Sequence, residues 1–253
     1  MEIRVLGCYG GELPGYNTTC FMINNNMVVD AGAITTSLPI EDQKKVDAIF
    51  LTHSHLDHVR DIGFLVDNIF GQRDRPVMVY GLAESIESVK KHVMNDLVWP
   101  DFSKLPTPED PVMVYQEVSE GETVEMDGVR VVPVKVSHTV PTAGYIISNG
   151  SKSVAISGDT GPTDEFWKKA GQEGGLQAVL LEASFPDRMA SLAEVSGHLT
   201  PASARSELEK LGKPEVSAYL YHMKPQFLRE ISEEVEAADH PMRLLRQGEV
   251  IHI

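Results

Sequence analysis

Residues 51–63 read LTHSHLDHVRDIG, and three histidines (His53, His55, His58) and one aspartate (Asp57) fall within six positions. Ahead of them, "VDAIFLT" at 46–52 is a strand-like apolar run. Behind them, from Leu56 to Phe70, apolar residues recur at Val59, Ile62, Leu65, Val66 and Ile69, the spacing of one helix face. The cluster therefore sits where a strand ends and a helix begins. Imidazole nitrogen and carboxylate oxygen are donors for borderline-soft divalent metals, and a catalytic site keeps one position open for water. On an extended turn His53 and His55 point to one centre, while Asp57 and His58, just past the bend, turn toward a second. Four donors do not complete two centres, so the rest of the chain must supply more.

Working outward, the first half alternates short strands and turns: "EIRVLG" at 2–7, "TCFMI" at 19–23, "MVVDAG" at 27–32 and "RPVMVYG" at 75–81. A helix is expected from Leu82 to about Asn95. The Pro-punctuated stretch 98–112 is then read as a loop with the character of a lid. The second half begins again with strands at 128–138, 142–148, 153–159, 178–184 and 216–222, and helices near 163–170, 200–211 and 226–238. Three polar residues close β-rich runs: His138 ends "VVPVKVSH", Asp159 ends "SVAISGD" and His222 ends "VSAYLYH". With them the set balances: His53, His55 and His138 on one metal, Asp57, His58 and His222 on the other, and Asp159 bridging. The isolated His92, His240 and His252 are read as structural. Two strand-then-helix halves with no Gly/Ser-rich linker suggest one domain over 1–253, with two sheets face to face and helices outside.

At this point the chain resembles the metallo-β-lactamase superfamily, whose signature is His-x-His-x-Asp-His followed by a later His, an Asp and a final His. The likeness runs from "DAG" at 30–32 through 53–58 to His222. It implies an α+β fold, an αββα four-layer sandwich of two ββα halves, with a two-metal hydrolytic site on one edge. The cofactors implied are two divalent ions, zinc first, with manganese and iron also suited to these donors.

Further segments resemble the class II 3′,5′-cyclic nucleotide phosphodiesterases: "HSHLDH" at 53–58, "GDTGP" at 158–162, "EASF" at 182–185, "SGHLTP" at 196–201 and "HMKP" at 222–225. Thr200-Pro201 is a good N-cap and N1 pair, so His198 would lie by a helix N-terminus, where backbone N–H groups favour anions. The implied reaction is attack of a metal-activated hydroxide on phosphorus, opening cAMP or cGMP to the 5′-monophosphate. Asp57 would orient the hydroxide, His198 would protonate the leaving oxygen and contact phosphate, and Glu182 would accept an imidazole N–H and hold its tautomer. Thr200 and Lys224 are candidate phosphate contacts, although for Lys224 a solvated lysine is slightly the preferred reading. Thr160 could bond a neighbouring ligand. Tyr16, Phe185 or the 98–112 loop could stack a base, against a stronger reading as packing.

Composition narrows the partners. Lys and Arg number 22 against 37 Asp and Glu, a formal charge of −15, with no basic run to track a polyphosphate. A small phosphodiester is therefore preferred to a long nucleic acid, which speaks against a ribonuclease Z-like nuclease. A lactonase needs no phosphate-binding histidine. The non-hydrolytic di-iron relatives replace the second histidine of the motif by glutamate, where this chain has His55, and an idle binding module need not keep seven ligands. No signal peptide or membrane span is apparent, and the two cysteines, Cys8 and Cys20, fit free thiols in a reducing compartment, so a cytoplasmic location is expected. The resemblance leaves a homodimer open, but the sequence shows no self-complementary patch.

Overall fold

The computed structural model describes residues 1–238 and 241–253. Its two seven-stranded sheets follow from strands that are apolar on both faces. In the first sheet the period of two divides each strand between two cores. Ile3, Val5, Phe21, Ile23, Met27, Val29, Ala48 and Phe50 face the second sheet. Leu6, Cys20, Met22, Val28 and Ile49 face a separate core with Ile62, Leu65 and Val66 of the helix Asp61–Asn68 and Ile86 and Val89 of the helix Ala83–His92. Across the sheet interface Phe21 meets Tyr221 edge-on at 5.1 Å and Phe50 meets Tyr145 at 5.8 Å. The far face of the second sheet is covered by Phe166, Trp167, Leu208, Ile231 and Val235 from the helices Glu165–Gln172, Pro201–Glu209 and Leu228–Ala237. The layers are thus helix, sheet, sheet, helix.

Strand direction places the site. Val129–Val136 pairs antiparallel with Thr142–Ser148, which pairs antiparallel with Ser153–Ile156. From there Leu176–Glu182 and Ser217–Tyr221 run parallel. Four of these strands therefore end at one edge, carrying His138, Asp159, Glu182 and His222 just at or beyond their last residues. Carboxyl ends of parallel strands are where open sheets offer crevices.

Several expectations are corrected. The helix read over Leu56–Phe70 is two pieces, Leu56–Val59 and Asp61–Asn68. The break arises because Asp30-Ala31-Gly32 docks against it: Ala31 N–H donates to His58 O at 2.7 Å and Asp61 N–H donates to Ala31 O at 2.9 Å in place of a helical carbonyl. Any side chain at Gly32 would put a Cβ 2.3 Å from Asp57 O. The strand at Met27–Val29 stops early because Asp30 turns left-handed, with φ +59°. Sequence reading also missed the helix Ala190–Ser196 and the C-terminal strand Val250–His252, which pairs with Glu2–Gly7. The 98–112 stretch is docked, not an open lid: Trp99 meets Phe64 at 5.0 Å, Phe102 meets Phe70 at 5.9 Å, and Pro106–Thr107 pairs with Asp110–Pro111.

Candidate metal centre

All seven residues proposed as ligands converge. Donor atoms of His53, His55, His138 and Asp159 lie within 4.8 Å of one another, as do those of Asp57, His58 and His222. Asp159 Oδ2 lies between the two groups, 3.7 Å from His53 Nε2, 3.4 Å from His58 Nε2 and 3.2 Å from His222 Nε2. Asp57 Oδ2 is 3.4 Å from His222 Nε2.

The outer edges of the imidazoles explain why their inner nitrogens are free. His58 Nδ1 donates to Asp30 Oδ2 at 2.7 Å, His53 Nδ1 to Thr52 Oγ1 at 3.0 Å, His138 Nδ1 to the Gly197 carbonyl at 2.8 Å and His222 Nδ1 to Ser184 Oγ at 2.8 Å. Thr52 passes its own proton to Asp30 at 2.8 Å. With each Nδ1 carrying the hydrogen, each Nε2 of the neutral ring carries a lone pair pointing inward. His58 and His222 Nε2 are 3.3 Å apart, and His138 Nε2 is 3.3 Å from His55 Nδ1. Burial lowers the pKa of His53, His55 and His138, which favours neutral rings. Burial also pulls down His58, but Asp159 and Asp30 outweigh it and hold the ring well above its usual value, so a cation binding at its Nε2 has to displace a proton there. Burial alone would raise Asp57 and Asp159; His222 and His58 beside them hold both carboxyls well below the ordinary range. Among the described residues His53 Nε2 and Asp159 Oδ1 are buried without a hydrogen-bond partner. Orphaned donor atoms of this kind each cost about 1–3 kcal/mol unless something fills the gap. A divalent cation fits this donor set, and the cluster is suited to a metal centre.

A third group adjoins it. A donor nitrogen of His198 lies within 4.8 Å of donor atoms of Asp159 and His222. His198 Nδ1 stands 2.9 Å from Glu182 Oε1, the pairing the sequence suggests. Glu182 is fully buried and also accepts the N–H of Thr160 at 3.1 Å, the N–H of Leu199 at 3.2 Å and the Ser184 hydroxyl at 3.1 Å. Burial and Asp159 push the Glu182 carboxyl up, against the pull of His222 and these donors. Burial lowers His198.

Other candidates take different places. Thr200 is the N-cap of Pro201–Glu209 in a capping box with Ser203, and the next free amide, Ala202 N–H, donates to Asp187 Oδ1 at 2.9 Å. The anion position at this helix end is held by the chain's own carboxylate, and the Thr200 side chain is engaged in capping. Lys224 is half-buried, its ammonium donates to the Gly10 carbonyl, and its charge is near enough to His198 to help lower that ring. The Thr160 hydroxyl donates to Gly161 O at 2.7 Å within its own turn. Tyr16 packs edge-on against Tyr9 at 4.9 Å, and Phe185 is buried 5.9 Å from His198. His92 and His252 are exposed, His252 within the C-terminal strand with its Nδ1 4.0 Å from Glu2 Oε2, and His240 lies outside the described residues. Cys8 and Cys20 are free and buried, and burial pushes the Cys8 thiol up to about 12. Sequence reading assigned no role to Asp30, Thr52, Ser184 or Gly197, although Asp30, Ser184 and Gly197 stand in the "DAG", "EASF" and "SGHLTP" segments that carry the resemblance; their partners are visible only in three dimensions.

Comparison with known proteins agrees with this geometry. The family model described as "Beta-lactamase superfamily domain" matches residues 25–223. The chain belongs to the metallo-β-lactamase superfamily. This member is 27% identical to the "Probable 3′,5′-cyclic-nucleotide phosphodiesterase" of Yersinia pestis, over 89% of this chain and 79% of that one. It is equally 27% identical to a ribonuclease Z of Mycobacterium sp. (strain KMS), over 82% of this chain and 76% of that one. Among solved structures, unliganded yeast PDE1 shares the fold with a TM-score of 0.82 at 20% identity, covering 100% of this chain and 99% of that one. The superfamily member described here is a hydrolase. Among the described residues no helix is long and apolar enough to cross a membrane.

Proposed function

We propose that this hydrolase is a two-metal phosphodiesterase that opens 3′,5′-cyclic nucleotides to 5′-monophosphates. The observation that carries the reading is the Glu182–His198 pair, 2.9 Å apart, set beside the histidine and aspartate cluster. Two divalent ions, zinc first, with His53, His55 and His138 at one and Asp57, His58 and His222 at the other, would supply water of lowered pKa and neutralise phosphate charge. Asp159, almost wholly buried, serves both subsets. Asp57 is the open carboxylate of the pair, its side chain 29% exposed against 2% for Asp159, and orients the attacking water. His198 donates a proton from Nε2 to the departing sugar oxygen, while Glu182 holds Nδ1–H and supports the charged ring.

The substrate class rests on charge and on likeness. A chain of formal charge −15 tolerates a small monoanion better than a polyanion, and a relative named as a cyclic-nucleotide phosphodiesterase aligns over most of its length. The ribonuclease Z relatives keep a second reading open, a nuclease of the same fold. The deciding experiment is hydrolysis of cAMP, cGMP and a single-stranded RNA by protein loaded with Zn²⁺ or Mn²⁺. Cyclic nucleotide turnover that stops on chelation, and that falls about 10²–10⁴-fold in His198→Ala with metal content intact, supports the proposal. RNA cleavage without cyclic nucleotide turnover transfers the reading to a nuclease.

A further inference from the structure

Ser184 has no step in the reaction just described, yet its side chain touches three members of the site. Its Oγ stands 2.8 Å from His222 Nδ1, 3.1 Å from Glu182 Oε2 and 3.2 Å from His198 Nδ1, and the residue is fully buried. A hydroxyl has one proton and two lone pairs. Glu182 Oε1 already accepts two backbone N–H groups, from Thr160 at 3.1 Å and Leu199 at 3.2 Å, and faces His198 Nδ1 at 2.9 Å, which leaves Oε2 as the oxygen open to the Ser184 hydroxyl. The Ser184 proton therefore goes to Glu182 Oε2, and its lone pairs face Nδ1–H of His222 and, more weakly, Nδ1–H of His198.

We propose that Ser184 is a positioning residue that couples the ligand His222 to the Glu182–His198 pair. Its hydroxyl fixes hydrogen on Nδ1 of His222, so Nε2 offers its lone pair to the subset formed with Asp57 and His58. The same hydroxyl anchors Oε2 of Glu182, which leaves Oε1 turned to His198. One atom thus aligns a metal ligand and the proton donor together. The main chain does not depend on it, because Ser184 N–H donates to Leu199 O at 2.9 Å and Lys224 N–H donates to Ser184 O at 3.1 Å. Removal of the hydroxyl alone leaves the segment tethered.

The kinetic half of this inference rests on the phosphodiesterase reading; the metal half does not. The variants are Ser184→Ala, Ser184→Cys and Ser184→Thr, with Ser184→Ala also combined with His198→Ala. Cobalt titration against a competing chelator should show two binding steps, one of them weakened about 10- to 100-fold in the Ala and Cys variants and the other unchanged. With both metal sites saturated, kcat for cAMP should fall in Ser184→Ala at unchanged KM, with little further loss on adding it to His198→Ala. Ser184→Thr, which keeps the hydroxyl, should restore the weak step and the rate. The inference is overturned if both steps keep wild-type affinity, if the two kcat losses multiply as independent effects, or if Cys serves as well as Thr. Loss of both steps together with a collapsed melting temperature also counts against it, since the role is then structural. A wild-type protein without phosphodiesterase activity removes the function proposed above and leaves the cobalt steps to judge Ser184.

Discussion

Asp30 shows how much one side chain outside the ligand set can decide. Its carboxylate accepts the Thr52 N–H at 2.8 Å, the Thr52 hydroxyl and His58 Nδ1, and through Thr52 it also orients His53. One buried charge thereby sets the tautomer of a histidine in each metal subset. It does so from a left-handed backbone at φ +59°, and His222 is held similarly at +64°. Non-glycine residues in this region store about 1–3 kcal/mol of strain each, which the surrounding hydrogen bonds must over-determine. Asp30→Asn keeps the shape but offers His58 an amide that can present the wrong group. Metal affinity should fall about 10- to 100-fold by chelator competition, with circular dichroism unchanged. Unaltered affinity would mean that His58 and His53 are aligned by packing alone. The motif residues were legible in the sequence because three imidazoles and a carboxylate in six positions have few other uses. The role of Asp30 was not, since an aspartate after a strand usually serves its own turn.

At the scale of elements, two junctions decide whether the edge of the second sheet becomes a site. The helix Ala190–Ser196 ends on Gly197, whose φ of +68° and whose carbonyl bond to His138 both belong to the helix stop. A methyl there would stand 2.9 Å from His138 Nδ1. Gly197→Ala should therefore cost about 1 kcal/mol or more in stability and displace His138, seen as a lower melting temperature together with reduced metal occupancy. Normal occupancy at wild-type stability would refute the close contact. The neighbouring helix start gives an opposite expectation. Thr200→Ala should lose about 1 kcal/mol of stability, the worth of an N-cap, with KM unchanged. A raised KM at unchanged melting temperature would return Thr200 to the phosphate. Pro201 and the "HLTP" pattern made the helix start readable from sequence. The occupant of its anion position was not readable, because Asp187 reaches Ala202 N–H from 15 residues away.

At the scale of the whole molecule, donors gathered from both halves of the chain leave the folded state with imidazole nitrogens crowded to 3.3 Å and with orphaned buried atoms. Metal removal should consequently destabilise the entire domain rather than one loop. Ions at 100 times their Kd stabilise by about 2.7 kcal/mol per site, so chelation should lower the melting temperature in one cooperative transition that Zn²⁺ restores. An unchanged melting temperature on verified removal would show that the cluster forms without a cation. The sequence by itself determined the strand-then-helix order, the two-sided apolar strands and the chemical identity of the seven candidate ligands, because each is a local pattern of spacing and residue type. Which three positions from the second half join the motif could be ranked only by their place at strand ends. The tertiary structure alone decided which nitrogen of each imidazole faces inward and that Ser184 joins two parts of the site. It also showed the backbone contacts that Lys224 and Thr200 make, with the Gly10 carbonyl and the start of the helix Pro201–Glu209. Those outcomes depend on distances of about 3 Å between residues far apart in the chain, which strand direction and sheet order create and no local pattern encodes.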